Sequence, residues 1–251
     1  MSATLGQAFT YCATHALAAC GFQPPATGEA CVALFDSAPW KHFGEQAHAL
    51  LDQRERERAA RFRHARDRDT YVLAHAMWRH VLGLTLRLEA ARVPLSTSPS
   101  GQPILTDTSY ATSLSHSGTQ VAIAITDAVT IGVDLERSPP RTALRDLAAM
   151  LCSSDEAATL ALLPPAQHET WLLQLWTRKE ALLKAFGVGL KEAPSNMSVS
   201  ATSVVAPPAS AANMPPCRVH PLQLPIGLVG AWAAPVNVAR CSSYVLGLPQ
   251  S

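Results

Sequence analysis

Asp134 and Glu136 stand one residue apart at the end of the apolar run "TIGVDLE" (130–136). Strand side chains alternate between faces, so the two carboxylates point the same way and Leu135 points opposite. Two like charges side by side repel each other and lose solvation on burial, so the pair calls for a positive partner. Downstream, "QLWTRKEALLKAFG" (174–187) places Glu180 four residues after Trp176 and four before Lys184, all on one helix face, with Lys179 beside the stripe. A hard cation answers the electrostatic question, because Mg²⁺ takes oxygen ligands, usually one or two carboxylates plus water and substrate phosphate. Asp134 and Glu136 from a strand, with Glu180 from a neighbouring helix, can hold such an ion. The two lysines would then neutralise the phosphates it binds. Taken singly, each motif also fits an ordinary role: an exposed strand end, or an i,i+4 salt bridge worth about 0.2–0.5 kcal/mol.

Other chemistries find less support. The chain has no GxxxxGK[ST] or GxGxxG phosphate loop, no HExxH, no GxSxG, and no Cys/His pair at ligand spacing. Six scattered cysteines without a CxxC pair fit buried or idle thiols in a reducing compartment. A net charge of +1 over 251 residues argues against a nucleic-acid binder that works by bulk charge, and 48% hydrophobic content describes a packed globular chain. No apolar stretch approaches the roughly 20 residues that span a bilayer. "LAAC" (17–20) has the look of a lipoprotein cleavage site, yet residues 1–16 carry no Lys or Arg and their apolar run is broken by Tyr11, Thr14 and His15. A soluble cytoplasmic protein is the expectation.

The elements that must position these residues follow from periodicity. Residues 1–30 are weakly patterned and read as loop with partial order. "ACVALFD" (30–36) reads as a buried strand, and 45–88 as two helical pieces. In the second piece Tyr71, Leu73, Met77, Trp78, Val81 and Leu82 recur at helical spacing, with Asp67 or Asp69 as a start cap. Residues 93–105 are turn-rich, and 112–126 read as a hairpin. "TIGVDLE" reads as a strand ended by Pro139 and Pro140. Short helices are expected over 141–151 and 153–163, the latter capped by Ser153 or Ser154. Residues 167–190 form the clearest helix, stopped by Gly187 and Gly189. A Pro-rich loop (194–216) and the strands "RVHPLQL", "LVGAWAAP" and "SYVLGL" complete the chain. Each half thus has a long amphipathic helix followed by strands, with negligible identity between the halves.

"IGVDLE" (131–136) followed by "WTRKEALLKAFGVGL" (176–190) resembles the paired signature of the 4′-phosphopantetheinyl transferases, G-[VI]-D-[IVL]-E and W-x-x-K-E-[AS]-x-x-K, with every signature position filled. "SLSHSG" (113–118), "SGQPIL" (100–105) and the helix around "TYVLAHAMWRHVLG" (70–83) are similar to segments of the larger single-chain type that serves polyketide and nonribosomal peptide synthetases. The similarity runs over roughly residues 50–195. It implies an α+β fold of two similar subdomains with pseudo-twofold symmetry, each a long helix on a small antiparallel sheet, divided as 1–126 and 127–251. It also implies transfer of 4′-phosphopantetheine from coenzyme A to a serine of an apo carrier protein or carrier domain of a polyketide, peptide or fatty acid synthase, with release of adenosine 3′,5′-bisphosphate.

The same resemblance assigns roles. Asp134, Glu136 and Glu180 hold Mg²⁺; Glu180, or a metal-bound water, takes the serine proton; Lys184 and Lys179 sit near the pyrophosphate. His116, in protonated form, and Ser115 contact coenzyme A, with Gly101, Pro103, Arg58 and Arg61 as further cofactor contacts. Arg79 is a weaker candidate of the same kind, or a structural residue. The site lies in the cleft between the halves, the protein is a monomer, and a carrier docks near 137–165. Neither nucleic acid nor membrane is an expected partner. Two positions depart from the family pattern. Gln102 replaces a lysine, so that either a neutral hydrogen bond or an arginine from 54–68 takes over, and Ser113 replaces an asparagine. The alternative is a non-catalytic relative that binds carrier protein or coenzyme A.

Overall fold

The computed structural model describes residues 7–98, 101–140, 142–200 and 203–248. Parts of the first segment, of the 93–105 turn and of the 194–216 loop therefore lie outside the described residues. In chain order the helices are α1 (Gln7–Ala19), α2 (Gly44–Ala49), α3 (Gln53–Ala60), α4 (Ala65–Leu86), α5 (Ala148–Leu151), α6 (Ser154–Leu162) and α7 (His168–Phe186). The strands are β1 (Glu29–Asp36), β2 (Leu95–Thr97), β3 (Pro103–Leu105), β4 (Ala111–Ser117), β5 (Gln120–Thr126), β6 (Gly132–Arg137), β7 (Val204–Val205), β8 (Cys217–Pro221), β9 (Leu228–Pro235) and β10 (Arg240–Val245).

The fold is α+β, with helices packed on two four-stranded sheets ordered β10-β1-β5-β4 and β6-β9-β8-β7. One core lies between the first sheet and helices α1 and α4, and a second between the other sheet and α7. A third core, built from Ala30, Val32, Leu34, Ala122, Val133, Leu135 and Trp232 among others, lies between the sheets. This explains the unbroken apolar run of β1: Cys31, Ala33 and Phe35 face the helices, while Ala30, Val32 and Leu34 face the other sheet.

Three features correct the sequence reading. Residues 7–19 are helical rather than loop, because Phe9, Cys12, Ala13, Ala16 and Leu17 form a buried stripe of mostly small side chains. Helix α4 is capped by neither Asp67 nor Asp69: His64 occupies the N-cap and Asp67 lies in the first turn. The first sheet is not wholly antiparallel, since β10 pairs parallel with β1, Glu29 opposite Arg240. The division at 126 assigns this strand to the second half; it returns instead to the first sheet.

Two glycines let the second half carry its site. A Cβ on Gly132 would fall 1.9 Å from the Ala181 carbonyl oxygen, so only glycine lets β6 lie this close to α7. Gly187, at φ +69°, ends α7 in the left-handed region. Ser153 caps α6 in a reciprocal box with Glu156.

Candidate active site

Alternation along β6 sends Val133 and Leu135 into the core between the sheets and turns Gly132, Asp134 and Glu136 toward α7. Lys184, on α7, donates to Asp134 Oδ1 at 2.7 Å and to the Val133 carbonyl at 2.9 Å. Glu180 lies one turn earlier on the same helix. Burial, reinforced by Asp134 and Glu136 and opposed by Lys184, raises its carboxyl to about 7. Glu136 is also raised, chiefly by burial; the Ser117 hydroxyl opposes the shift and Asp134 adds to it. Asp134 Oδ2 and Glu180 Oε1 are buried and have no hydrogen-bond partner.

Such orphaned carboxylate oxygens are costly unless something positive reaches them. Among the described residues no three His, Cys, Asp or Glu side chains already converge as a metal-ligating cluster. The donor set nevertheless fits a hard divalent cation: all oxygen, mutually repelling, and with free buried lone pairs.

Asp134 and Glu136 border a cleft of about 540 Å³ between the two halves, whereas Glu180, one turn before Lys184 on α7, is not among its lining residues. Of the expected site residues, Arg58, Gly101, Pro103, Ser115, His116, Asp134, Glu136 and Lys184 all line it. Ser115 spends its proton on Asp134 Oδ1 at 2.8 Å, so its contact is with a carboxylate. Partial burial lowers the pKa of His116, His75, Lys184 and Arg58 add to the shift, and Asp67 opposes it.

One expected contact is corrected. Lys179 is fully buried, and its ammonium donates to the Leu151 and Pro194 carbonyls and to Glu156. All three of its protons are thereby spent, and it anchors α6 to α7 rather than facing a pyrophosphate. Arg61 lies just past the end of α3 and lines a depression that adjoins the cleft, sharing Arg54, Arg58 and Thr97 with it. Arg79 is structural as well, buried and paired with Asp52 at 2.7 Å and Glu55 at 2.6 Å.

The sequence reading missed Tyr71 and His75, which line the cleft together with Arg54, one of the arginines of 54–68. Arg54 and Arg58 are four residues apart on α3 and share a face, which was a readable signal. His75 is oriented by Glu55 through Nδ1 at 2.9 Å, a pairing across two helices that no local spacing announces. Gln102 lines the cleft and donates through Nε2 to the Lys184 carbonyl at 3.1 Å. It is thus a neutral link between the two walls, while Arg54 and Arg58 supply positive charge nearby.

A family model described as "4′-phosphopantetheinyl transferase superfamily" matches residues 130–221, and one described as "4′-phosphopantetheinyl transferase, N-terminal" matches residues 38–128. The chain belongs to the 4′-phosphopantetheinyl transferase superfamily. It is 33% identical over 146 residues to the 4′-phosphopantetheinyl transferase HetI of a Nostoc species, a span covering 57% of this chain and 62% of that one. To the transferase psf-1 of Bacillus pumilus it is 30% identical over 147 residues, covering 58% and 62% respectively. To the transferase Sfp of Bacillus subtilis it is 28% identical over 156 residues, covering 62% and 68%. The matched part of the chain thus spans 62% of the length of the first two relatives. In this superfamily member the cleft lies where the two family matches meet, with β4 contributed by one and β6 by the other.

Proposed function

We propose that the chain transfers the 4′-phosphopantetheine group of coenzyme A to a serine of an apo carrier protein or carrier domain, releasing adenosine 3′,5′-bisphosphate. The reading rests on one observation: Asp134, with an unpartnered buried oxygen, lines with Glu136 and Lys184 a cleft between two parts that both match the family, and Glu180, with another such oxygen, stands close enough to all three to feel their charge. In the reaction the serine Oγ bonds to the phosphorus that carries pantetheine, and the pyrophosphate P–O bond to the adenosine side breaks. Glu180 would accept the serine proton once the hydroxyl is within hydrogen-bond reach. Lys184 offsets the negative charge that builds on the departing phosphate. Arg54, Arg58 and His116 bind phosphate toward the first half, and Gly101 and Pro103 shape the rim. Asp134, Glu136 and Glu180 would hold Mg²⁺, which supplies Lewis-acid polarisation of the pyrophosphate oxygens.

The carrier is that of a polyketide, peptide or fatty acid synthase, and exposed Met150 and Leu162 support docking near 137–165. One chain supplies both walls of the cleft, which supports a monomer, and a cytoplasmic location belongs to the same proposal. No helix among the described residues is long and apolar enough to cross a membrane. Incubating the purified chain with apo carrier, coenzyme A and Mg²⁺ and then weighing the carrier tests the reading. A phosphopantetheine mass gain that chelation abolishes is expected; no gain across several carriers would sink it.

A further inference from the structure

Strands β4 and β6 are the facing edges of different sheets, and no backbone ladder joins them. They are stitched instead by a row of hydroxyls. Ser113, Ser115 and Ser117, on one face of β4, accept the backbone N–H of Val133 at 3.1 Å, Leu135 at 3.3 Å and Arg137 at 3.2 Å. The two-residue period of both strands keeps the row in step.

A serine hydroxyl has one proton and two lone pairs. Having accepted an N–H, each hydroxyl has a single proton left to give. Ser115 gives it to Asp134 Oδ1 at 2.8 Å, and Ser117 to Glu136 Oε2 at 2.6 Å. The equivalent partner for Ser113 would be residue 132, which is glycine, so Ser113 stitches the strands and touches no carboxylate of β6. Asp134 Oδ1 also receives Lys184, leaving Oδ2 as the buried oxygen without a partner.

We propose that Ser115 and Ser117 are positioning residues: each commits one oxygen of a carboxylate, fixes its rotamer, and leaves the second oxygen for a shared cation. Side chains that orient metal ligands typically change affinity 10- to 100-fold when removed. The inference rests on the metal-holding role given to Asp134 and Glu136 above. It also gives the SxSxS pattern of 113–117 a reason, since the hydroxyls at 115 and 117 register with the carboxylates at 134 and 136.

Ser113 makes the test internal. Calorimetric titration of the purified chain with Mg²⁺ alone is compared across wild type, Ser113→Ala, Ser115→Ala, Ser117→Ala, Ser115→Thr and Ser117→Thr, with thermal melts recorded in parallel. Ser115→Ala and Ser117→Ala should weaken Mg²⁺ binding about tenfold, and the threonine variants, which keep the hydroxyl, should restore it. Ser113→Ala should lower the melting temperature and leave Mg²⁺ affinity unchanged. A purely structural stitch predicts equal effects from all three alanines. That result, no effect from any of them, or a wild-type chain that binds no Mg²⁺ overturns the proposal. A chain with the expected binding pattern that modifies no carrier would instead overturn the transfer reading and leave the hydroxyl row standing.

Discussion

Glu180→Gln should stabilise the metal-free protein while removing its transfer activity. The carboxyl is raised from 4.5 to about 7, first by burial and then by Asp134. Below pH 4.5 it is protonated folded and unfolded alike, and contributes nothing. Between 4.5 and about 7 the folded state keeps a proton that the unfolded state has released, so stability falls as pH rises. Above 7 the whole cost is present, about 3 kcal/mol from the shift as an upper bound. Partial solvent access to the side chain brings it to about 1–3 kcal/mol. Glutamine keeps the shape without the charge, so at pH 8 the variant should melt roughly 5 °C higher than wild type for a chain of this size. Melts from pH 4.5 to 8 without divalent ions provide the assay, and the difference should open from near zero to its full value across that range. Added Mg²⁺ should raise the wild type toward the variant. A difference that is absent at pH 8, reversed, or constant with pH would refute the reasoning.

Three further outcomes separate structural from chemical residues. Lys179→Ala should lose about 3–5 kcal/mol, since it strands Glu156 as a buried unpaired charge; Lys184→Ala should keep a cooperative melt and lose transfer, and denaturant titration of both distinguishes them. His80, buried against Thr14 at 3.0 Å, has its pKa lowered to about 4, so the unfolded state binds the extra proton between 4 and 6.5. The His80 contribution should therefore cost about 3 kcal/mol as pH falls through that window, against the opposite contribution of Glu180, and His80→Phe should gain stability relative to wild type progressively from pH 6.5 to 4 in acid-denaturation curves. Gly132→Ala should yield little soluble protein, because its methyl would meet the Ala181 carbonyl at 1.9 Å; circular dichroism as good as wild type would count against the close packing of β6 on α7.

The sequence exposed the site better than the frame around it. Asp134 and Glu136 were legible because strand alternation is a local rule, and Glu180 with Lys184 because helical spacing is another. Lys179 was misplaced for a reason readable in retrospect. It continues the buried stripe Leu172, Leu175, Leu182 and Phe186, so its side chain turns inward. Helix α1 escaped notice because its buried face relies on Cys12, Ala13 and Ala16, small side chains that give weak periodicity. The return of β10 to pair with β1 joins residues at opposite ends of the chain, and nothing local in "RCSSYV" specifies a parallel neighbour. The His75–Glu55 hydrogen bond belongs to the same class of non-local pairing.

The most direct measurement follows both products of one reaction: carrier mass and adenosine 3′,5′-bisphosphate, with coenzyme A, Mg²⁺ and apo carrier, for wild type and Asp134→Asn. Wild type should give the two products in equal amounts, and Asp134→Asn should give neither while remaining folded. Equal turnover by the variant, or nucleotide release without carrier modification, would contradict a transferase centred on Asp134, Glu136 and Glu180.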